Sequence, residues 1–326
     1  MGDLYHIPGD NGKDYRLKKF VEYQHEVPET HYRFIADYIK KFNIDVNEAI
    51  EMSFVLSATY NEITTVFVHV LKEGGKSYED IWNYKDKLYF GSARKYSKNN
   101  NEFVGMMNDF NNLLGENKIQ WLKKYESSNA ETTYNNIHEA IKVIPKVGRF
   151  SADLFLETII YMKDFFGLNI EQPTILDWKN CANLTSGVYN IFYEDERANN
   201  YDKTKKVTDI EKYYLSKKLT VIQKAIGETY PEQNNEICMF IGKICSFRNL
   251  FKNARYGGFH HDRELQVLKQ YEKDFPGYSN LWKTCYKIRS DIFPKHLLGE
   301  LNGWEGIRKE RKKLWLTTGK TGVERC

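Results

Sequence analysis

Ile144-Pro145-Lys146-Val147-Gly148-Arg149-Phe150-Ser151-Ala152 places a proline, a glycine and two cations between two apolar helical patterns. Upstream, Tyr134, Ile137, Ile141 and Ile144 recur at helical spacing, and downstream Ala152, Phe155, Leu156 and Ile159 make a second apolar face. Pro145 lacks an N–H and disfavours helical geometry at Ile144, so the first helix is expected to stop there. Gly148 is expected to permit the tight reversal. The amides of such a turn, together with the start of the second helix, form a positive concavity that suits a phosphate. Lys146, Val147, Gly148, Arg149 and Ser151 are the residues expected to meet it, holding DNA without reading its bases. Proline and glycine also join helices that bind nothing, and spacing alone leaves that alternative open.

A second constellation is Arg255-Tyr256-Gly257-Gly258-Phe259-His260-His261-Asp262-Arg263. Gly257 and Gly258 would let backbone amides face an anion, and Arg255 and Arg263 carry the bidentate donors that phosphate oxygens accept. His261 or Asp262 is placed to move a proton. The alternative is a glycine-terminated helix followed by a solvated charged cap. Adjacent histidines on one turn diverge, and no partner residues show zinc spacing.

The elements that must position these groups read as helices. Glu29–Phe42 has Tyr32, Ile35, Ala36 and Ile39 on one face, and Asp45 is a candidate N-cap for an apolar helical region running to Leu71, broken near Asn61. Ser77-Tyr78-Glu79-Asp80 has the form of a capping box. Phe103–Leu114 is amphipathic, and Lys98–Asn101 and Glu126–Asn129 are polar connections. Phe166-Gly167 is expected to close the helix after the hairpin. Beyond the charged stretch Glu194–Lys206, helices are expected around Leu215–Ile226 and over Ile237–Ala254, with three more to follow. The last, with Arg308, Lys309, Arg311, Lys312 and Lys313 between Trp304 and Trp315, is basic, as a strand of DNA would require and as a solvated helix face also allows. No convincing alternating strand occurs, so the expected class is all-α, with an N-terminal helical region 1–125 and a hairpin-containing region 126–326.

Composition sets limits. The 326 residues are 41% hydrophobic and 28% charged, which excludes wholesale disorder. A net charge of +4 permits nucleic-acid binding without demanding it, so local patches must carry that reading. No apolar run approaches a membrane span and the opening MGDLYHIPGDNGKD is not a signal peptide. The five cysteines include no C-x-x-C pair and are odd in number, so a reducing, cytoplasmic setting is expected.

The hairpin, then Phe166-Gly167, then Pro173-Thr174-Ile175-Leu176-Asp177-Trp178, resembles the order of motifs in DNA glycosylases of the helix-hairpin-helix superfamily. That resemblance implies a helix-hairpin-helix glycosylase-like fold, with Asp177 as the catalytic carboxylate near a base swung out of the stack. The alternative is that Asp177 caps a helix containing Trp178. There are departures. Lys146 stands where a glycine is usual, the interval from Pro145 to Asp177 is long, and Phe150 and Ser151 occupy the place of a Schiff-base lysine. Cys238 and Cys245 echo half of an iron–sulfur loop whose other half is missing.

Together with Ser186-Gly187 and the Gly-Gly-Phe-His-His-Asp-Arg stretch, these motifs resemble a viral family of amino acid:DNA transferases, the α-glutamyl/putrescinyl-thymine pyrophosphorylases. The resemblance covers residues 30–300 in overall pattern and is specific only at the motifs. It implies double-stranded DNA carrying a pyrophosphorylated 5-hydroxymethyluracil as substrate, and an amino acid or polyamine as the displacing amine. Asp177 would take the ammonium proton or steady a cationic methylene, with Arg255, Gly257, Gly258 and Arg263 at the pyrophosphate and His261 as proton carrier. No cofactor is required by such a step; a divalent metal could assist the pyrophosphate, and no ligand set for it is readable. Two alternatives stay open: a monofunctional glycosylase, and a non-catalytic subunit whose hairpin anchors a partner to DNA.

Overall fold

The structure, a computed structural model, describes residues 30–91, 98, 102–171 and 259–292. These residues are 74% helical and contain no strand, so this part of the chain is all-α, as the periodicity implied. Almost all of them belong to one compact unit, Thr30–Pro173 with Glu264–Ile292, which draws on both sides of residue 125. The second unit comprises Met1–Glu29, Thr174–Arg263 and Phe293–Cys326, and only its residues 259–263 are described. No helix among the described residues is long and apolar enough to cross a membrane.

In chain order the helices are α1 (Thr30–Phe42), α2 (Val46–Thr59), α3 (Glu62–Glu73), α4 (Tyr78–Trp82), α5 (Glu102–Leu114) and α6 (Lys118–Lys123). There follow α7 (Ala130–Ile141), α8 (Arg149–Tyr161), α9 (Lys163–Phe166), α10 (Phe259–Asp274) and α11 (Ser279–Ile292). Caps fix several starts. The Asp45 carboxylate accepts from the Asn47 amide, Asn61 accepts from Thr64, and Ser77 and Asp80 cap each other across the first turn of α4. The break near Asn61 is a left-handed residue, Tyr60 (φ 52°), between α2 and α3.

α2 is the central helix. Every residue from Ala49 to Thr59 except Glu51 is buried, because its apolar residues lie on all sides and it is wrapped by neighbours. Phe54 stacks on Phe110 of α5 with centroids 4.1 Å apart, and Phe155 of α8 meets both edge-on. Close α2–α8 packing is secured by Ser57 Oγ, which donates to the Ser151 carbonyl at 2.8 Å. A second aromatic group ties α10 and α11 to α3: Phe67 meets Tyr271, Phe275, Tyr278 and Trp282. Tyr271 Oη bonds Thr64 Oγ1 at 2.7 Å and accepts from the Tyr89 amide at 3.0 Å, so its buried hydroxyl is satisfied.

Two helix ends differ from expectation: α7 ends at Ile141, three residues before the expected stop at Ile144. α8 stops at Tyr161, and Gly167, at φ 59°, instead closes the short α9. The helices expected around Leu215–Ile226 and over Ile237–Ala254, and the basic C-terminal helix, lie outside the described residues.

Candidate nucleic-acid interface and the buried cluster beside it

α7 and α8 are the two arms of the expected hairpin, and residues 142–148 are its turn. Ile144 and Val147 are buried, the Val147 amide donates to the Ile144 carbonyl at 3.1 Å, and Pro145, Lys146 and Gly148 are exposed. The arms are locked by polar contacts. Tyr134 Oη donates to Asp153 Oδ1 at 2.8 Å, and His138 Nε2 lies 3.1 Å from the same oxygen, with the His138 ring stacked on Tyr134. The turn is therefore held on a rigid support.

The left-handed residue is Lys146 (φ 68°), not Gly148. The sequence marked Lys146 as the position where glycine is usual, and the backbone there has the conformation that glycine accepts at no steric cost. Gly148 has φ −87° and ψ −178°, extended backbone open to any residue, so it is not what permits the reversal. It is the N-cap of α8, where it provides no side-chain cap, and a Cβ added to it would meet nothing within 4 Å. Neither backbone geometry nor packing requires glycine at 148.

The other hairpin residues divide. Lys146 is exposed, and its Nζ lies 3.2 Å from Glu102 Oε1 of α5, so part of its charge is engaged within the protein. Val147 and Ser151, expected at the interface, are buried at 4% and 2% exposure. Their side chains anchor the turn to the core, and their amides are engaged within it, Val147 with the Ile144 carbonyl and Ser151 with the Gly148 carbonyl at 3.0 Å, so neither meets a ligand as expected. Of Arg149 only the backbone, in the first turn of α8, is described.

Beside the start of α8 lies a group the sequence did not flag. His31 Nδ1 bonds Glu62 Oε2 at 2.6 Å and lies 3.3 Å from Glu264 Oε1, and all three side chains are buried. Burial pushes the Glu264 carboxyl well up from its ordinary value, and the adjacent Glu62 charge pushes it further. Burial also pushes Glu62 up, but the neighbouring His31 outweighs it and holds Glu62 below the usual range. With Glu264 pushed toward its neutral form, Glu62 toward its charged form, and the fields of His31 and Arg289 on the pair, two carboxyls can share this interior. The His31 ring is 5.3 Å from that of Tyr60, and Tyr60 is 6.2 Å from Phe150 in the first turn of α8. Gly91 explains how Tyr60 holds its left-handed conformation: its amide donates to the Thr59 carbonyl, and a Cβ there would sit 2.7 Å from the Tyr60 oxygen.

These residues were hard to see because they come from four helices and the α2–α3 joint. Glu62 in particular looks like an ordinary acid in a first helical turn, where the dipole favours it. The expected chemistry at the glycine pair is only partly located. Asp177, Arg255, Gly257 and Gly258 lie outside the described residues. His261 and Arg263 fall in the first turns of α10, with only their backbone described, so they sit on a helix and not on an open loop. Two groups among the described residues have ligand atoms near enough to hold an ion, all within 4.8 Å: His31 with Glu62 and Glu264, and Glu48 with His69 and Glu73.

Comparison with family models, with curated proteins and with solved structures finds no match for this chain.

Proposed function

We propose that the chain is a DNA-modifying transferase that holds duplex DNA at the α7–α8 hairpin and substitutes an amine on a modified thymidine. The observation that carries the DNA half is Gly148. A helix start gains stability from Ser, Thr, Asp or Asn at its N-cap. Here an exposed glycine stands instead, with no internal demand for it. What glycine does supply is access: a phosphate can approach the N–H groups of Arg149 and Phe150 in the first turn of α8 with no Cβ in the way, those of Gly148 and Ser151 being engaged within the turn. The half-buried rings of Tyr60 and Phe150 next to the turn offer an aromatic surface to an unstacked base.

The chemical half rests on the resemblance. The amine nitrogen of an amino acid or polyamine attacks the exocyclic methylene carbon of pyrophosphorylated 5-hydroxymethyluracil. The C–O bond breaks, pyrophosphate leaves with the electron pair, and the ammonium proton passes to Asp177. Arg255 and Arg263, with the amides of Gly257 and Gly258, stabilise the charge on the leaving group, and His261 carries a proton to solvent.

Duplex DNA bearing that base, incubated with the chain and a mixture of amino acids and polyamines, is expected to yield an amine-linked thymidine by nucleoside mass spectrometry and to release pyrophosphate. Asp177→Asn is expected to bind the duplex as before and to lose turnover by ~100-fold to ~10,000-fold. Abasic sites in place of the amine adduct would assign a glycosylase, and bound DNA with neither product would assign a DNA-anchoring subunit.

A further inference from the structure

At the opposite end of the α2–α3 pair from Tyr60, Glu48 in the first turn of α2 faces His69 and Glu73 near the end of α3. The three border a cavity of about 150 Å³, which Glu51, Thr65, Lys72 and Tyr78 also line. His69 and Glu73 are four residues apart on one helix, so both project to the same side.

We propose that Glu48, His69 and Glu73 form a binding site for a divalent transition ion of the zinc type, closing the α2–α3 hairpin at this end and leaving at least one coordination position open to the cavity. Three observations support it independently of the DNA reading. Their candidate ligand atoms all lie within 4.8 Å of one another. A cation centred among atoms so spaced lies within about 2.8 Å of each, and small rotations of the two glutamates shorten this to the ~2.0–2.2 Å of zinc bonds to nitrogen and oxygen.

The second observation is His69. It is 7% exposed, it lines the cavity, and neither ring nitrogen makes a hydrogen bond among the described residues. Its only ring contact there is edge-on with Tyr38. An imidazole that borders a cavity, with no protein partner for its nitrogens among the described residues, can offer one of them to an ion.

The third is the distribution of charge. Glu51 is compensated: Lys118 Nζ lies at 3.2 Å, Lys72 Nζ at 3.9 Å, and Tyr78 Oη donates to it. Neither Glu48 nor Glu73 is ion-paired among the described residues. One nitrogen and two oxygens suit zinc, whereas Mg²⁺ prefers an all-oxygen octahedron with several waters.

The test is calorimetric titration of the full chain with Zn²⁺, after treatment with chelator, on wild type, Glu73→Gln and His69→Gln. Glu73 is exposed, so its variant retains the fold even where the His69 variant does not. Wild type is expected to bind Zn²⁺ and to melt at a higher temperature with it, and Glu73→Gln is expected to weaken binding at least about tenfold and to lose that increment. Excess Mg²⁺ is expected not to compete. Failure of wild type to bind, or binding unchanged in Glu73→Gln, overturns the proposal, the latter result putting the ion on other residues such as the cysteines.

Discussion

At the start of α8 the backbone faces outward, without a side-chain cap and with no side chain on Gly148 to cover it. A short way off, at His31, Glu62 and Glu264, side chains face inward and neutralise one another. The first arrangement forgoes stability that one substitution would restore. The second holds charges in the interior at a desolvation cost that only close pairing offsets. Sites kept for a ligand and sites kept for the fold therefore leave opposite signatures: improving the first raises stability, and altering the second lowers it. Tyr60 touches both, its ring tilted against His31 and edge-on to Phe150 from a left-handed backbone.

The largest effect is expected in the buried cluster. Glu62→Gln leaves His31 without its closest acceptor and removes the charge that opposes ionisation of Glu264, and a loss of about 3–5 kcal/mol is expected in chemical denaturation. Glu264→Gln is expected to behave differently, because the Glu264 carboxyl is pushed well up by burial and the neutral amide resembles its protonated form. Its raised pKa means that its contribution to stability is full below the unfolded value and is lost as pH rises through the folded one. Glu62, held low, contributes above its unfolded value, and that contribution is lost as pH falls through its folded pKa. Denaturation across pH is thus expected to show a shallower alkaline fall in Glu264→Gln than in wild type. Equal profiles for the two chains would mean that the proton is not on Glu264.

A smaller effect, of the opposite sign, is expected at the turn. Lys146→Gly removes a left-handed lysine and its exposed contact with Glu102, and the midpoint of unfolding is expected to rise by the equivalent of up to about 1 kcal/mol. A lower midpoint would show that the ion pair with α5 matters more than the backbone.

How far the sequence reached follows from the range of the interactions. The caps at Asp45 and Ser77, the break near Asn61 and both arms of the hairpin were legible because each depends on residues within a turn or two. Pro145 marked the reversal correctly, but the left-handed position fell on Lys146, since no local pattern distinguishes a strained lysine from a solvated one. Val147 and Ser151 were expected outside and lie inside, because the packing of α8 on α2 through Ser57 sets which side of the turn faces the core. His31, Glu62 and Glu264 were illegible: they are separated by 31 and 202 positions, and only the folded arrangement of α1, α3 and α10 joins them.

Gly148→Asp tests the central claim with two readouts of opposite sign. An aspartate at this N-cap can accept from the first-turn amides of α8 and complements the helix dipole, so stability is expected to rise by a few tenths of a kcal/mol to about 1 kcal/mol. The same carboxylate would stand where a DNA phosphate is proposed to sit, so affinity for duplex DNA, measured by fluorescence anisotropy at fixed salt, is expected to fall at least about tenfold. A variant that melts higher and binds DNA as wild type does would show that the open start of α8 is not the contact, and would contradict the account.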